Sequence, residues 1–173
     1  IIDYKLGNIA SIFNALKDLN LKVTVSNNKK EISNSSHIVL PGVGSFKEGM
    51  RGLEDLNLIE ILNEEILNKK KFFLGICLGM QLIASKSFEG GQTPGLNWIE
   101  GDVIKIIKNK NIKIPHMGWN EVNISRSVLY KGIKNLSSFY FVHSYHLKPK
   151  NKNIISGTSI HGEILASSIE KDN

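Results

Sequence analysis

The chain has 173 residues, enough for one domain with a full core and too few for two. Hydrophobic content of 41% and charged content of 22% are ordinary for a soluble globular protein. The single cysteine excludes an internal disulfide and fits a reducing compartment. A net charge of +6 is spread through short clusters such as Lys69-Lys70-Lys71 and the lysines between 148 and 152, which fall between apolar segments. Their place at turns favours solvated loop charge; nucleic-acid binding would call for a basic stripe with interleaved aromatics, and none is present, while an acidic partner surface or a phosphorylated substrate is the alternative use for part of that charge. No apolar stretch approaches the ~20 residues of a membrane span, and no signal-peptide pattern opens the chain. The expectation is a cytoplasmic protein without membrane contact, cofactor or metal.

Ile1 to Tyr4 reads as a short buried strand, followed by a turn over Lys5-Leu6-Gly7-Asn8. Ile9, Ile12, Phe13, Leu16 and Leu19 then fall at helical spacing with Asn8 as N-cap. Leu21 to Val25 is strand-like, so the opening is a β-α-β unit, the mark of a parallel sheet covered by helices. His37 to Leu40 is the next strand, and it runs into Pro41-Gly42-Val43-Gly44-Ser45 with a helix beginning near Phe46. The backbone N–H groups of such a loop can cradle a phosphate or the oxyanion of an acyl-transfer intermediate. The Gly-Lys-Ser/Thr ending of a P-loop is missing, so nucleotide binding is the weaker choice, and a plain tight turn stands as the alternative.

Leu58, Ile59, Leu62, Ile66 and Leu67 form one helix face. Next comes the stretch around which the chain is organised: an apolar run from Phe72 to Ile76 stops at Cys77 and gives way to a helical pattern carrying Met80, Leu82 and Ile83. Gly75 and Gly79 bracket the cysteine. This is the strand–turn–helix elbow that presents a nucleophile on a strained turn. The positive end of the helix dipole there favours thiolate. A buried core cysteine is the competing reading. Both the elbow and the Pro41–Ser45 loop lie at carboxyl ends of strands, the edge where doubly wound sheets bind ligands.

Beyond Ser87-Phe88-Glu89-Gly90-Gly91 the segments turn short and strand-like: 103–107, 122–124, 139–142, 154–159 and 164–169. This half is expected to be mostly antiparallel β, packed beside the parallel sheet within one domain spanning residues 1–173. Pro115-His116-Met117-Gly118-Trp119-Asn120 is either a partner anchor or routine core, and spacing alone favours core. In Phe141-Val142-His143-Ser144-Tyr145-His146 a hydrogen-bonded structural histidine is the common outcome.

Together and in this order, Asp3-Tyr4-Lys5-Leu6-Gly7-Asn8, Leu40-Pro41-Gly42-Val43-Gly44, Gly75-Ile76-Cys77-Leu78-Gly79-Met80-Gln81, Pro115 to Asn120 and Phe141 to Tyr145 are specific. The sequence resembles the class I (triad) glutamine amidotransferases, most closely their branch of glutaminase subunits in imidazole glycerol phosphate synthesis. The resemblance implies an α/β, flavodoxin-like three-layer fold, with a mostly parallel central sheet, helices on both faces and an added antiparallel β portion. It makes Cys77 the nucleophile that attacks glutamine, and Val43 and Leu78 the oxyanion-hole residues. It assigns Gly44, Gln81, Glu89, His143, Ser144 and Tyr145 to substrate binding. Asn8, Met117 and Trp119 fall to docking of a cyclase (HisF-like) (β/α)8-barrel subunit, in a heterodimer through which ammonia is channelled. Trp119 thereby moves from core to interface.

Relatives continue with a strand ending in His-Pro-Glu that supplies the general base and its orienting carboxylate. Here the sequence stops at Glu170-Lys171-Asp172-Asn173, and none of His37, His116, His143, His146 or His161 aligns with that base. The resemblance therefore implies a C-terminally truncated chain lacking its catalytic histidine and glutamate, and nearly inactive alone. Two rival readings remain. One is an ammonia-supplying subunit for acetamidino sugars of surface polysaccharides, which His146 and Trp98 in Gly95-Leu96-Asn97-Trp98 favour slightly. The other is a non-catalytic binding subunit of the same fold.

Overall fold

The computed structural model describes residues 1–108, 112–125 and 127–173. Asn8 accepts a hydrogen bond from the Ser11 amide and caps α1 (Ile9–Asp18) as the sequence predicts. None of the residues of α1 is fully buried, so this amphipathic helix lies loosely on its neighbours. A short helix that the sequence reading missed, α2 (Lys29–Asn34), is capped by Asn28 and leads to β1 (His37–Leu40). Ser45 and Glu48 form a capping box that starts α3 (Phe46–Asp55). The predicted single helix after Leu58 is in fact α4 (Ile59–Asn63), continued by a π-helical turn over Glu64–Asn68.

β2 (Phe72–Gly75) pairs in parallel with β1, Val39 opposite Leu74. The predicted flanking strands are narrower than expected. Ile2 N–H donates to the Val39 carbonyl, the Asp3 amide donates to the Ser26 carbonyl, the Ser26 amide donates to the Ile1 carbonyl, and a single parallel bridge joins Ile2 to Ser26. On the other edge the Phe73 amide donates to the Asn173 carbonyl. Leu21 to Val25 forms no strand: four of its five residues are solvent-exposed, so no burial rewards regular pairing there.

α5 (Leu78–Leu82) leaves the elbow and passes almost at once into β3 (Ala84–Ser87). With β4 (Thr93–Pro94), β5 (Ile99–Lys105) and β9 (Tyr145–Pro149) it makes a sheet in the order β4-β3-β5-β9. β6 (His116–Glu121) pairs antiparallel with β8 (Ser138–His143) as a separate ribbon. β7 (Asn123–Ile124), β10 (Ile155–His161) and β11 (Glu163–Ile169) form the last sheet. The β-rich second half is therefore present, but its pairing is mixed: β3 and β5 run parallel. One buried cluster joins both halves, from Ile2, Tyr4, Leu40 and Phe46 through Leu78 and Leu82 to Val103 and Leu147.

The helical segment before β2 is locked by a buried ion pair. Glu65 is wholly inside, where Ser33 donates to its Oε1 at 2.7 Å and Lys69 at 2.9 Å. Lys71 Nζ faces Oε2 at 2.6 Å, off the hydrogen-bonding angle, and also donates to the Ser33 carbonyl. Burial pushes this carboxyl up, but the contacts to Lys71, Lys69 and Ser33 and the charge of Lys71 outweigh it and hold it down at about 2. Lys71→Met leaves the carboxylate with only the half-exposed Lys69 opposite it, and is expected to cost about 3 kcal/mol in urea unfolding. The depressed carboxyl stabilises the fold fully above its unfolded value near ~4.3, and that stability is lost as the pH falls toward 2. Acid titration of the wild type should thus show a loss below pH ~4 that is shallower in the variant.

Candidate active site

Cys77 sits at the junction of β2 and α5 with φ 55° and ψ −114°, a backbone conformation that costs a non-glycine residue energy. The residue is exposed. That is the strained elbow the sequence predicts, and it is incompatible with a core cysteine. The first loop lies against it. The Ile76 amide donates to the Leu40 carbonyl at 3.0 Å, bringing the end of β2 onto the end of β1. A Cβ on Gly79 would land on the Leu40 carbonyl oxygen. A Cβ on Gly42 would stand 2.8 Å from Leu78 Cβ and 3.0 Å from the Gly79 nitrogen. Backbone packs on backbone here, and only glycine allows it.

Tyr4 completes the junction. It is fully buried, and its hydroxyl donates to the Pro41 carbonyl at 2.6 Å. Burial pushes the phenol up, with the nearby Cys77 adding to the effect, so Tyr4 remains a donor. The loop then turns outward: Val43 is half exposed, and Gly44 has φ +101°. On its far side the Phe46 amide at the start of α3 donates to Glu89 Oε2 at 2.7 Å, tying Glu89 to the same rim.

From the other direction, Gln81 on α5 donates from Nε2 to the Tyr145 carbonyl at 3.0 Å. That carbonyl also accepts from His143 Nδ1 at 2.9 Å. Ser144 is the corner where the chain leaves β8 for β9, held by the Ile106 amide on its carbonyl. The structure therefore gathers Gly42 to Gly44, Cys77, Leu78, Gln81 and Glu89 about one elbow, with His143 to Tyr145 tied to it through Gln81. Met117 and Trp119 stand elsewhere, on the outer face of β6, with Trp119 74% exposed. Asn8 serves as a helix cap.

One expectation is corrected. The helix dipole was expected to lower the thiol, but α5 has only five residues and supplies little field. Desolvation pushes Cys77 up, opposed only by the Leu78 amide. Cys77 is exposed as a residue while its thiol is partly desolvated, and that desolvation sets the direction of its titration. Among the described residues no histidine hydrogen-bonds to the thiol, and no three His, Cys, Asp or Glu side chains are grouped so as to hold a metal ion. No helix among them is long and apolar enough to cross a membrane.

Sequence reasoning missed Tyr4 as a positioning residue, and it missed the buried His116 and its neighbour Asn120. Their only signal was the Pro-His-Met-Gly-Trp-Asn string. It also missed Tyr140 and Val142, which stand directly opposite Trp119 and Met117 and share their exposed face. Trp98, by contrast, has a structural role: it meets Phe73 edge-on at 5.0 Å and donates to Asn63 Oδ1. His146 is buried in the β9 layer.

A strained, reachable thiol between a glycine loop and a short helix on an α/β scaffold defines the class: the chain belongs to the class-I glutamine amidotransferases, whose family model matches residues 1–173. A solved glutamine amidotransferase shares the fold, with a TM-score of 0.70 at 14% identity over 98% of this chain and 88% of that one. Among curated proteins it is 46% identical to imidazole glycerol phosphate synthase subunit HisH 1 of Campylobacter jejuni strain RM1221, over 99% of this chain and 86% of that protein. The HisH subunits of Pelagibacter ubique and Aquifex aeolicus are 45% and 41% identical, each over 100% of this chain, and are covered to 86% and 83%.

Two measurements check this geometry. Gly79→Ala forces Leu40 and α5 apart and should lower stability by about 3 kcal/mol, with Cys77 reactivity altered as the elbow relaxes. Alkylation of Cys77 by iodoacetamide should keep accelerating beyond pH 8.5, because the thiol titrates above its ordinary value.

Proposed function

We propose that this chain is the glutaminase subunit of an imidazole glycerol phosphate synthase, working in the cytoplasm beside a cyclase subunit of (β/α)8-barrel form. The observation that carries the reading is the exposed, strained Cys77 directly before Leu78 and Gly79, on which Gly42 of the Pro41–Ser45 loop packs. The Cys77 sulfur attacks the side-chain carboxamide carbon of glutamine. A C–S bond forms as the carbonyl π-electrons move to oxygen, and the amides of Leu78 and Val43 receive that oxyanion. Collapse breaks the C–N bond, the nitrogen takes a proton and leaves as ammonia, and water then cleaves the γ-glutamyl thioester to glutamate.

Gly44, Gln81, Glu89, His143, Ser144 and Tyr145 surround the substrate in this reading. Gln81 and His143 do so by holding the Tyr145 segment, since their nitrogens are committed to its carbonyl. The proton that leaves sulfur and reaches nitrogen needs a general base. His116 and His143 are bonded to each other, and we assign the base, with its carboxylate, to the part of the relatives' length that this chain does not span. Met117 and Trp119, flanked by Tyr140 and Val142, form the docking face for the cyclase, which takes the ammonia and releases imidazole glycerol phosphate with the aminoimidazole carboxamide ribotide.

The test uses the protein extended to the relatives' length together with its cyclase. Cys77→Ala should abolish glutamine-dependent product, while an ammonium salt still supports cyclisation; surviving glutamine turnover would mean that another group is the nucleophile. Trp119→Ala should weaken the complex by about 2 kcal/mol in titration calorimetry, the size of an aromatic anchor at an interface centre.

A further inference from the structure

The inner face of the β6–β8 ribbon carries polar groups where a sheet usually carries apolar ones. His116 is 3% exposed, and its ring lies between those of Phe141 and His161, with centroid separations of 4.6 and 4.3 Å. Its Nδ1 is 2.9 Å from His143 Nε2, and its Nε2 is 3.0 Å from Asn120 Nδ2.

The direction of every bond in this chain follows from one backbone group. The Glu121 amide donates to Asn120 Oδ1 at 2.9 Å, which fixes the side-chain amide and leaves Nδ2 as donor. Nδ2 gives one hydrogen to the Ile160 carbonyl and the other to His116 Nε2. His116 Nε2 is therefore an acceptor, and in the neutral ring the proton sits on Nδ1. That proton goes to His143 Nε2, so the His143 proton sits on Nδ1 and points at the Tyr145 carbonyl. The carbonyl's second donor is Gln81, on α5, which begins directly after Cys77.

We propose that His116 is a positioning residue for the glutamine site: an ordered chain Asn120–His116–His143–Tyr145 carbonyl–Gln81 fixes the cysteine elbow relative to the ribbon whose outer face bears Met117, Trp119, Tyr140 and Val142. Adjacent residues of one ribbon thus look both ways. Odd positions such as 117 and 119 meet solvent, and even positions 116 and 120 hold the relay, so a shift of the ribbon is passed to α5 through the buried His116 ring and the partly buried His143 ring. As a role in glutamine handling this rests on the function proposed above; the relay itself has its own readout.

Both rings belong in the neutral form. Burial pushes His116 down to about 4, reinforced by His143 and His161. Burial also lowers His143, against the Tyr145 bond that raises it, with His161 adding to the lowering. The other titratable groups nearby are His146, which faces His143, and Glu163 and Lys148, which act on His146. A second proton on either ring would set two N–H groups against each other or against Asn120. The relay is therefore intact at neutral pH and fails on acidification.

The experiment uses the whole chain as wild type, His116→Phe, which keeps the ring shape without nitrogens, and His116→Asn, which keeps a donor near the Nδ1 position. Long-range proton–nitrogen correlation spectra of the imidazoles should show neutral Nδ1–H tautomers for His116 and His143 between pH 6 and 8. In H116F the Gln81 side-chain amide signal should move, and H116N should return it toward its wild-type place. Labelling of Cys77 by a glutamine-shaped chloroketone should be slowed about fivefold in H116F, the loss of one net hydrogen bond, through weaker binding at unchanged maximal rate. Iodoacetamide labelling should stay within twofold, and H116N should recover most of the loss. An Nε2–H tautomer on either ring, an unmoved Gln81 signal, or equal slowing of both reagents without rescue overturns the proposal. A wild type that ignores the chloroketone yet shows the tautomers and the Gln81 shift instead overturns the glutamine reading and leaves the relay standing.

Discussion

The site depends on how closely two pieces of backbone approach. β1 and β2 end side by side, and the loops that leave them have to cross within van der Waals contact for one to serve the nucleophile on the other. Gly79 over the Leu40 carbonyl and Gly42 over Leu78 are the points of contact, and any side chain at either would hold the loops apart. Tyr4 fixes the outer wall by donating to Pro41. The strain in Cys77 persists because this surrounding packing leaves its backbone nowhere else to go.

The second organising feature is the corner at Ser144. There one continuous strand pair is replaced by another: residues up to His143 belong with β6, and residues from Tyr145 on belong with β5. A corner exposes carbonyls that a straight strand would have paired, and Tyr145 uses its own to collect Gln81 and His143. The same corner thus joins the hydrolytic elbow to the outlying ribbon, and it explains why buried histidines occur where packing alone would have chosen aliphatic residues.

How far the sequence was legible varied with how a residue is used. α1 was readable by the helical spacing of Ile9, Ile12, Phe13 and Leu16, β1 and β2 as apolar runs, and α3 by its start near Phe46. β6 was not read as a strand, because its pattern is reversed: His116 and Asn120 turn inward, while Met117 and Trp119 turn out. Periodicity rules assume that apolar means inside, and the outward-facing Met117 and Trp119 break that assumption. α2 was too short, and β3 follows α5 too closely, for any period to develop. The ionisation of Cys77 was misjudged for a related reason, since a helix start was visible in the sequence but its five-residue length was not.

From the residues alone came the family, the elbow with its single cysteine, and the glycine loop, because each depends on residue identities at fixed short spacing. Tertiary structure decided what depends on residues distant along the chain: that Gly42 meets Leu78, that Glu89 reaches the start of α3, and that His116, His143 and Gln81 join at one carbonyl. Side-chain chemistry is written locally, whereas hydrogen-bond partners and burial come into being only when the sheets pack, and so the polarity of the histidine chain had no counterpart in the order of the letters.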